Sequence, residues 1–292
     1  MTATYRPLTA ALWMLGSIFS FLAMGVAGRA LQGSLDVFEI MTWRSVIGLG
    51  IVLVAARIVR APLTGARGLM ATDQLPSHLI RNTVHFAGQG LWLWALMSIP
   101  LAQLFALEFT APIWVMLMGP FLLGERLTPL RALAAAIGFA GVLVVARPDF
   151  GNLDPGVLAA VVAAMCFAVN ITMTKRLTGK AAILSILFWQ TAMQAVMGLV
   201  TAGWDGQMTL PGLADVPWVA IVGVGGLVAH FSLTKALSMA PAGFVMPIDF
   251  ARLPLAAVLG FAMYGEPLEV AVLIGGALII LGNIINIRYG AR

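Results

Sequence analysis

Apolar stretches of about twenty residues recur along the whole of this 292-residue chain, and that pattern leaves few folds open to it. A bilayer core of ~30 Å is crossed by about 20 apolar residues in helical conformation. Ten such stretches fit the sequence, at 8–28, 36–59, 77–98, 101–123, 129–147, 155–174, 183–203, 216–236, 242–263 and 267–287. With short connections they use up the chain and leave no room for a soluble domain. Charged residues amount to only 10%, where a soluble domain has roughly 25% with which to face water. A segment in lipid must satisfy its own backbone hydrogen bonds, so stretches of this length are helices. The expected fold is all-α, a polytopic membrane protein of ten transmembrane helices. Pro76, Pro100, Pro129, Pro155, Pro241 and Pro267 lie at or just before the starts of spans, where the missing N–H costs nothing.

The basic residues set the orientation. With the N-terminus inside, thirteen Lys and Arg lie on the inner side, counting Arg81 at the start of the third span, and only Arg29 and Arg147 lie outside. Arg44 and Arg252 fall within spans. This asymmetry predicts a multi-pass protein of a bacterial inner membrane with both termini cytoplasmic. It also accounts for the pI near 10.0 without a nucleic-acid partner. Cys166 is the only cysteine, which excludes an intramolecular disulfide or a CxxC pair. Arg6 followed by the run 8–28 is read as a first helix, because Ala27–Gly28–Arg29 makes a poor signal cleavage site.

The chain also repeats itself. An offset of 141 brings Ala95–Leu96, Pro100, Phe109, Gly119, Gly124–Glu125 and Gly141 onto Ala236–Leu237, Pro241, Phe250, Gly260, Gly265–Glu266 and Gly282. An offset of 146 brings Phe21, Arg29, Gly33 and Trp43 onto Phe167, Lys175, Gly179 and Trp189. The predicted repeats are 1–147 and 155–292, with five helices in each. An odd number forces the second to enter the membrane in the opposite sense, and inverted repeats place substrate near the midplane between the halves.

The two halves, with Gly124–Glu125 and Gly265–Glu266 before the fifth and tenth helices, resemble the drug/metabolite transporter superfamily and its ten-helix EamA-type exporters. The resemblance covers nearly the whole chain, and within the group it is nearest to the YddG-type exporters of aromatic amino acids. It implies helices from both halves around a central cavity, with the third, fourth, eighth and ninth prominent in its lining. The expected function is export of a small metabolite, an aromatic or other apolar amino acid, by alternating access. The alternatives are a carrier for another neutral or cationic metabolite or drug, and an intramembrane enzyme. The Gly–Glu glutamates are read as structural, placed at helix N-termini where a negative charge suits the dipole.

Ionisable groups deep in a span are costly and mark functional sites by default. Arg44, Glu108, Asp249 and Arg252 qualify, and His85 and His230 lie at lesser depth. Glu108 and Asp249 are repeat mates, while Asp249 and Arg252, three apart, can pair on one helix face. The third helix carries a polar stripe at Arg81, His85, Gln89 and Trp92, and Gln89 maps onto His230. Trp43–Arg44 and Trp189–Gln190 are paired aromatic–polar dipeptides from opposite halves, suited to a flat ligand, and Asn170 is a further polar group in the sixth span. For any one of these residues, ordinary packing or pairing within the bundle is the competing reading. Pro112, Pro120, Pro247 and Pro254 should bend the fourth and ninth helices beside the acids and make them gates. The two deep arginines balance the two deep acids, which points to a zwitterionic or neutral ligand.

Other chemistry finds no motif. The chain lacks a GxxxxGK[ST] loop for ATP and an HExxH pair for zinc, and its three histidines are scattered. A secondary transporter rather than an enzyme is expected, without cofactor or metal. Its partners are a small-molecule substrate and the bilayer, and the acids and histidines offer titratable groups for proton coupling.

Overall fold

The computed structural model describes residues 6–65, 68–111, 113–115, 117, 129–146, 154–204, 206–240, 245, 248–249 and 251–289. Ten helices are delimited within them: α1 (Pro7–Ala30), α2 (Val37–Ile58), α3 (Leu75–Ser98), α4 (Leu101–Glu108), α5 (Pro129–Ala146), α6 (Pro155–Thr178), α7 (Ile183–Ala202), α8 (Val216–Met239), α9 (Arg252–Tyr264) and α10 (Val270–Tyr289). The described residues contain no strand. Burial is inverted relative to a soluble protein. Leu12, Phe19, Ile58 and Val196 are exposed, while Arg44, Arg81, Arg252, His85 and Gln194 are buried. An apolar exterior around a polar interior is the arrangement lipid demands, because a polar side chain is costly there.

Five helices, α1, α2, α6, α7 and α8, are long and apolar enough to cross a bilayer. With 24 residues α3 is as long as any of them, but it devotes one face to His78, Arg81, Asn82, His85 and Gln89, all buried. That face looks into the bundle, not at lipid. Arg81 thus belongs to the interior rather than to an inner loop, a correction to the charge count. The prolines expected to act as gates fare unevenly: Pro112, Pro120 and Pro247 lie outside the described residues. Pro254 occupies the first turn of α9, where a missing N–H breaks no helical bond, so it does not bend that helix. The interruptions lie beside the acids instead. α4 ends at Glu108 ahead of a turn at Phe109–Thr110, and Ala251 is a turn residue between Asp249 and α9.

Helix pairing follows a two-fold exchange of the halves, in which each helix takes the place of the one five further on. α1 packs on α8 and α6 on α3, which are images of each other, while α2·α7, α4·α9 and α5·α10 are each their own image. The exchange reaches individual atoms. A Cβ added at Gly141 would lie 2.6 Å from the Gly275 carbonyl oxygen, and one added at Gly282 would lie 2.6 Å from that of Ala134. The 141 offset converts the first pair into the second. The chain is an all-α polytopic membrane protein, with two inverted five-helix repeats around a central cavity.

Glycine is required at the α5–α10 contact because the backbones touch. Gly141→Leu and Gly282→Leu are each expected to cost roughly 1–3 kcal/mol by overpacking. Gly50→Ala, where an added Cβ meets nothing within 4 Å, should cost nothing. Unfolding midpoints in detergent check this, and a Gly141→Leu midpoint equal to wild type would refute the close contact.

A cross-half contact closes one end of the bundle. Gly265, at φ 64°, ends α9 in the left-handed conformation, with the Glu266 N–H on the Gly260 carbonyl at 3.1 Å. This turn throws the Glu266 carboxylate back over Gly260. The carboxylate accepts the Leu101 N–H at 2.9 Å, capping the N-terminus of α4, and pairs with Arg29 at the end of α1. The glutamate does serve a helix N-terminus, but that of α4 in the other half and not that of α10. Arg29 also donates to the Leu96 and Ile99 carbonyls at 2.9 and 2.6 Å, and its guanidinium lies 4.9 Å from the Tyr264 ring centre. Its repeat mate Lys175 donates to the Leu237 carbonyl at 3.1 Å, the image of the Arg29–Leu96 bond.

Candidate functional site

Between the halves lies a cavity of about 90 Å³, lined by residues of α1, α2, α3, α4, α6, α8 and α9 together with Phe109, Ala111 and Asp249. Of the eleven site residues expected from the sequence, eight line it: Arg44, His85, Gln89, Glu108, Asn170, His230, Asp249 and Arg252. Phe21, Trp92, Phe109 and Phe167 give it aromatic walls. The polar groups form two sets, one on each side.

The first set is built at the interruptions beside α4 and α9. Arg252 Nη2 lies 2.7 Å from Asp249 Oδ2 and 2.9 Å from Glu108 Oε1, so the expected pairing of Asp249 with Arg252 forms and Glu108 joins it. The other Glu108 oxygen accepts the Trp92 indole N–H at 2.7 Å. The guanidinium carbon sits 4.8 Å from the Phe21 ring centre and 5.1 Å from those of Phe105 and Phe109, where ring faces favour a cation. Two carboxylates share one guanidinium, so with both ionised the set carries one surplus negative charge. Asp249 Oδ1 and Arg252 Nε and Nη1 are buried without a hydrogen-bond partner among the described residues.

The second set joins α2, α3, α7 and α8. Arg44 Nη2 donates to Gln194 Oε1 at 2.7 Å, which fixes the orientation of that amide. The Gln194 NH₂ therefore faces His85 Nδ1, 3.1 Å away, and Nδ1 must accept. A neutral imidazole then carries its hydrogen on Nε2. That atom lies 3.2 Å from the Gln89 amide nitrogen, while Gln89 Oε1 is buried and has no partner among the described residues. Turning the Gln89 amide by half a rotation satisfies both groups, an exchange that heavy-atom positions leave open. His85 is thus held as one neutral tautomer. His230 meets it edge to face at 4.9 Å, and each ring has a phenylalanine against it, Phe167 on His85 at 5.9 Å and Phe21 on His230 at 5.5 Å. Those two phenylalanines are repeat mates.

The remaining expectations need correction. Trp43 packs against the apolar core with its indole nitrogen unpartnered among the described residues. Trp189 donates to the Ala71 carbonyl at 2.9 Å, pinning the connection before α3. Gln190 accepts from Arg81 at 2.6 Å. None of the three lines the cavity. Successive helical residues point about 100° apart, and here Arg44 turns to the cavity while Trp43 beside it turns away. Asn170 does reach it, and its Oδ1 has no partner among the described residues. Sequence reasoning missed Gln194, although it lies one turn beyond Gln190 on the same face of α7. Phe21 and Phe167 were noted only for their place in the repeat.

Two matches to the EamA-like transporter family, over residues 8–147 and 154–288, take in nearly the whole chain. A riboflavin transporter of Vibrio cholerae is 27% identical over 286 residues, covering 96% of this chain and 93% of that protein. A riboflavin transporter of Brucella anthropi is 30% identical over 250 residues, 84% of this chain and 86% of its own. An S-adenosylmethionine uptake transporter of Rickettsia bellii is 25% identical over 270 residues, 92% and 89% of the two chains. A crystal structure with 19% identity superposes with a TM-score of 0.67 over 97% of this chain and 96% of that one, a likeness of fold alone. None of these relatives is named for amino-acid export, so the YddG-type resemblance gains no support from them. With both repeats matched and the two-fold packing in place, the chain belongs to the EamA-like transporter family, as a small-metabolite transporter.

Proposed function

We propose that this protein carries a metabolite with a flat, nitrogen-containing ring system, neutral or cationic overall, across the bacterial inner membrane by alternating access. Its substrate contacts are Arg44, His85, Gln89, Glu108, Asn170, His230, Asp249 and Arg252, and both termini are cytoplasmic. One observation carries the reading: polar residues from both halves converge on a single cavity walled by Phe21, Trp92, Phe109 and Phe167. Aromatic faces stack on flat rings, and a few placed polar groups set orientation. Riboflavin and S-adenosylmethionine, named for the relatives, both contain fused nitrogen heterocycles.

The cavity of about 90 Å³ is well below the ~300–1,000 Å³ of small-molecule sites. It corresponds to a contracted form, and loading requires the halves to part. Movement is assigned to the segments around the interruptions beside Glu108 and Asp249. The repeats 1–147 and 155–292 are the units that rock against each other. Proteoliposomes preloaded with unlabelled riboflavin, S-adenosylmethionine or tryptophan test this by counterflow of the same labelled compound. Saturable counterflow of riboflavin or S-adenosylmethionine is expected. Counterflow of tryptophan alone would return the protein to amino-acid transport, and none with any of the three would overturn the proposed substrate class.

A further inference from the structure

The buried charges are distributed unevenly about the cavity. On the α4–α9 side Arg252 faces two acids. On the α2–α3–α7 side stand Arg44 and Arg81, both buried, with no carboxylate in ion-pair range of either among the described residues. Arg81 donates to Thr174 Oγ1 at 2.7 Å, Asn82 Oδ1 at 3.0 Å and Gln190 Oε1 at 2.6 Å, and Arg44 to Gln194 Oε1 at 2.7 Å. Every acceptor is neutral. Gln190 and Gln194 are one turn apart on one face of α7, so the two guanidiniums are stacked along that helix. Among the described charges that line the cavity, Arg44 and Arg252 match Glu108 and Asp249 in number, and Arg81, packed behind Arg44, adds one positive charge (3 − 2), while the other buried acid, Glu39, caps the N-terminus of α2.

Two unneutralised cations on one side are an expensive way to brace helices, because an uncompensated buried ion costs several kcal/mol even after relaxation. Arg81 is fully engaged and does not line the cavity. Arg44 does line it and makes a single hydrogen bond among the described residues. Gly226 makes room for its stem, since a Cβ there would lie 3.2 Å from Arg44 Cδ.

We propose that Arg44, with Arg81 behind it, is an anion subsite that takes the carboxylate of the transported molecule, while Glu108 and Asp249 across the cavity take its cationic or N–H-bearing end. This rests on the transporter reading and narrows its substrate to a heteroaromatic metabolite whose carboxylate is balanced or outweighed by cationic charge. Of the two arginines that line the cavity, Arg252 is paired with carboxylates and Arg44 has none among the described residues, and its planar fork matches a carboxylate.

The test compares S-adenosylmethionine with its decarboxylated analogue, which keeps the sulfonium, amine and adenine. Binding of both, and of riboflavin, is measured on the purified full-length protein and on Arg44→Gln and Arg44→Lys. Wild type is expected to prefer the carboxylate-bearing ligand by roughly 10- to 100-fold, the range for a hydrogen bond to a charged group. Arg44→Gln should bring that ratio to about one by weakening S-adenosylmethionine alone, and Arg44→Lys should keep part of it. If Arg44→Gln does not fold, the wild-type and Arg44→Lys ratios decide. An equal ratio in wild type and Arg44→Gln, or no preference in wild type, overturns the subsite. Binding of riboflavin with neither adenosyl ligand also overturns it while leaving the transporter reading intact. Binding of none of the three overturns both.

Discussion

Arg252→Met is expected to be the most damaging single substitution in the cavity, lowering stability by about 3–5 kcal/mol because it leaves two buried acids without their cation. Glu108 and Asp249 converge on one guanidinium nitrogen at 2.9 and 2.7 Å, and the arginine side chain is only 3% exposed. Removing all three charges together should do less harm. The triple variant Arg252→Met, Glu108→Gln, Asp249→Asn is expected to recover most of the lost stability, since neutral groups of similar volume carry no comparable desolvation cost. Transport should not return with it, because the charges proposed to meet the substrate are gone. Unfolding midpoints in detergent, beside counterflow in liposomes, separate the two effects. A single variant as stable as wild type would show that the trio does not brace the bundle. A triple variant that transports normally would show that its charges are not part of the site.

Covalent closure of the Arg29–Glu266 end should abolish transport, a loss of at least about tenfold, and reduction should restore it. Arg29 belongs to the first half and Glu266 to the second, and together they tie the end of α1 to the α3–α4 corner. A transporter of the proposed kind must break this contact once per cycle. The native Cys166 is first replaced by alanine to remove background. Cysteines are then placed at Arg29 and Glu266 and joined by a short, reducible bis-thiol crosslinker. The uncrosslinked variant is expected to transport, the crosslinked one not, and the reduced one again. Undiminished counterflow after complete crosslinking would mean that this end stays closed throughout, and alternating access through it would be wrong. Arg29→Gln alone should weaken the closure only partly, because Glu266 keeps its bond to the Leu101 N–H.

How far the site was legible in the sequence differs from residue to residue. Glu108 and Asp249 could be found because a carboxylate in an apolar span is costly wherever it points, and the repeat offset brought them into register. Arg252 followed from its spacing to Asp249. Gln190 was misplaced by one turn: it was expected at the cavity, yet it holds Arg81, while Gln194 reaches Arg44 and His85. Arg81 was counted with the inner-side charges because it is the seventh residue of α3, although the stripe it shares with His85 and Gln89 already marked one face of that helix.

What the sequence determined by itself was the class of the molecule: a membrane protein of ten helices in two inverted halves. Lipid leaves backbone groups no external partner, so each apolar stretch must form its own helix, and the odd helix count of each repeat fixes their opposed sense. These are local or counting constraints, readable one segment at a time. What only the tertiary structure decided was which polar side chains meet. Apart from α3 with its polar stripe, the long spanning helices are apolar on nearly every side, so their hydropathy does not mark the face that turns inward. That face is set by close approach at contacts such as Gly141 with Gly275 and Gly88 with Cys166. Rotation by a single residue, about 100°, separates Trp189 on the Ala71 carbonyl from Gln190 on Arg81.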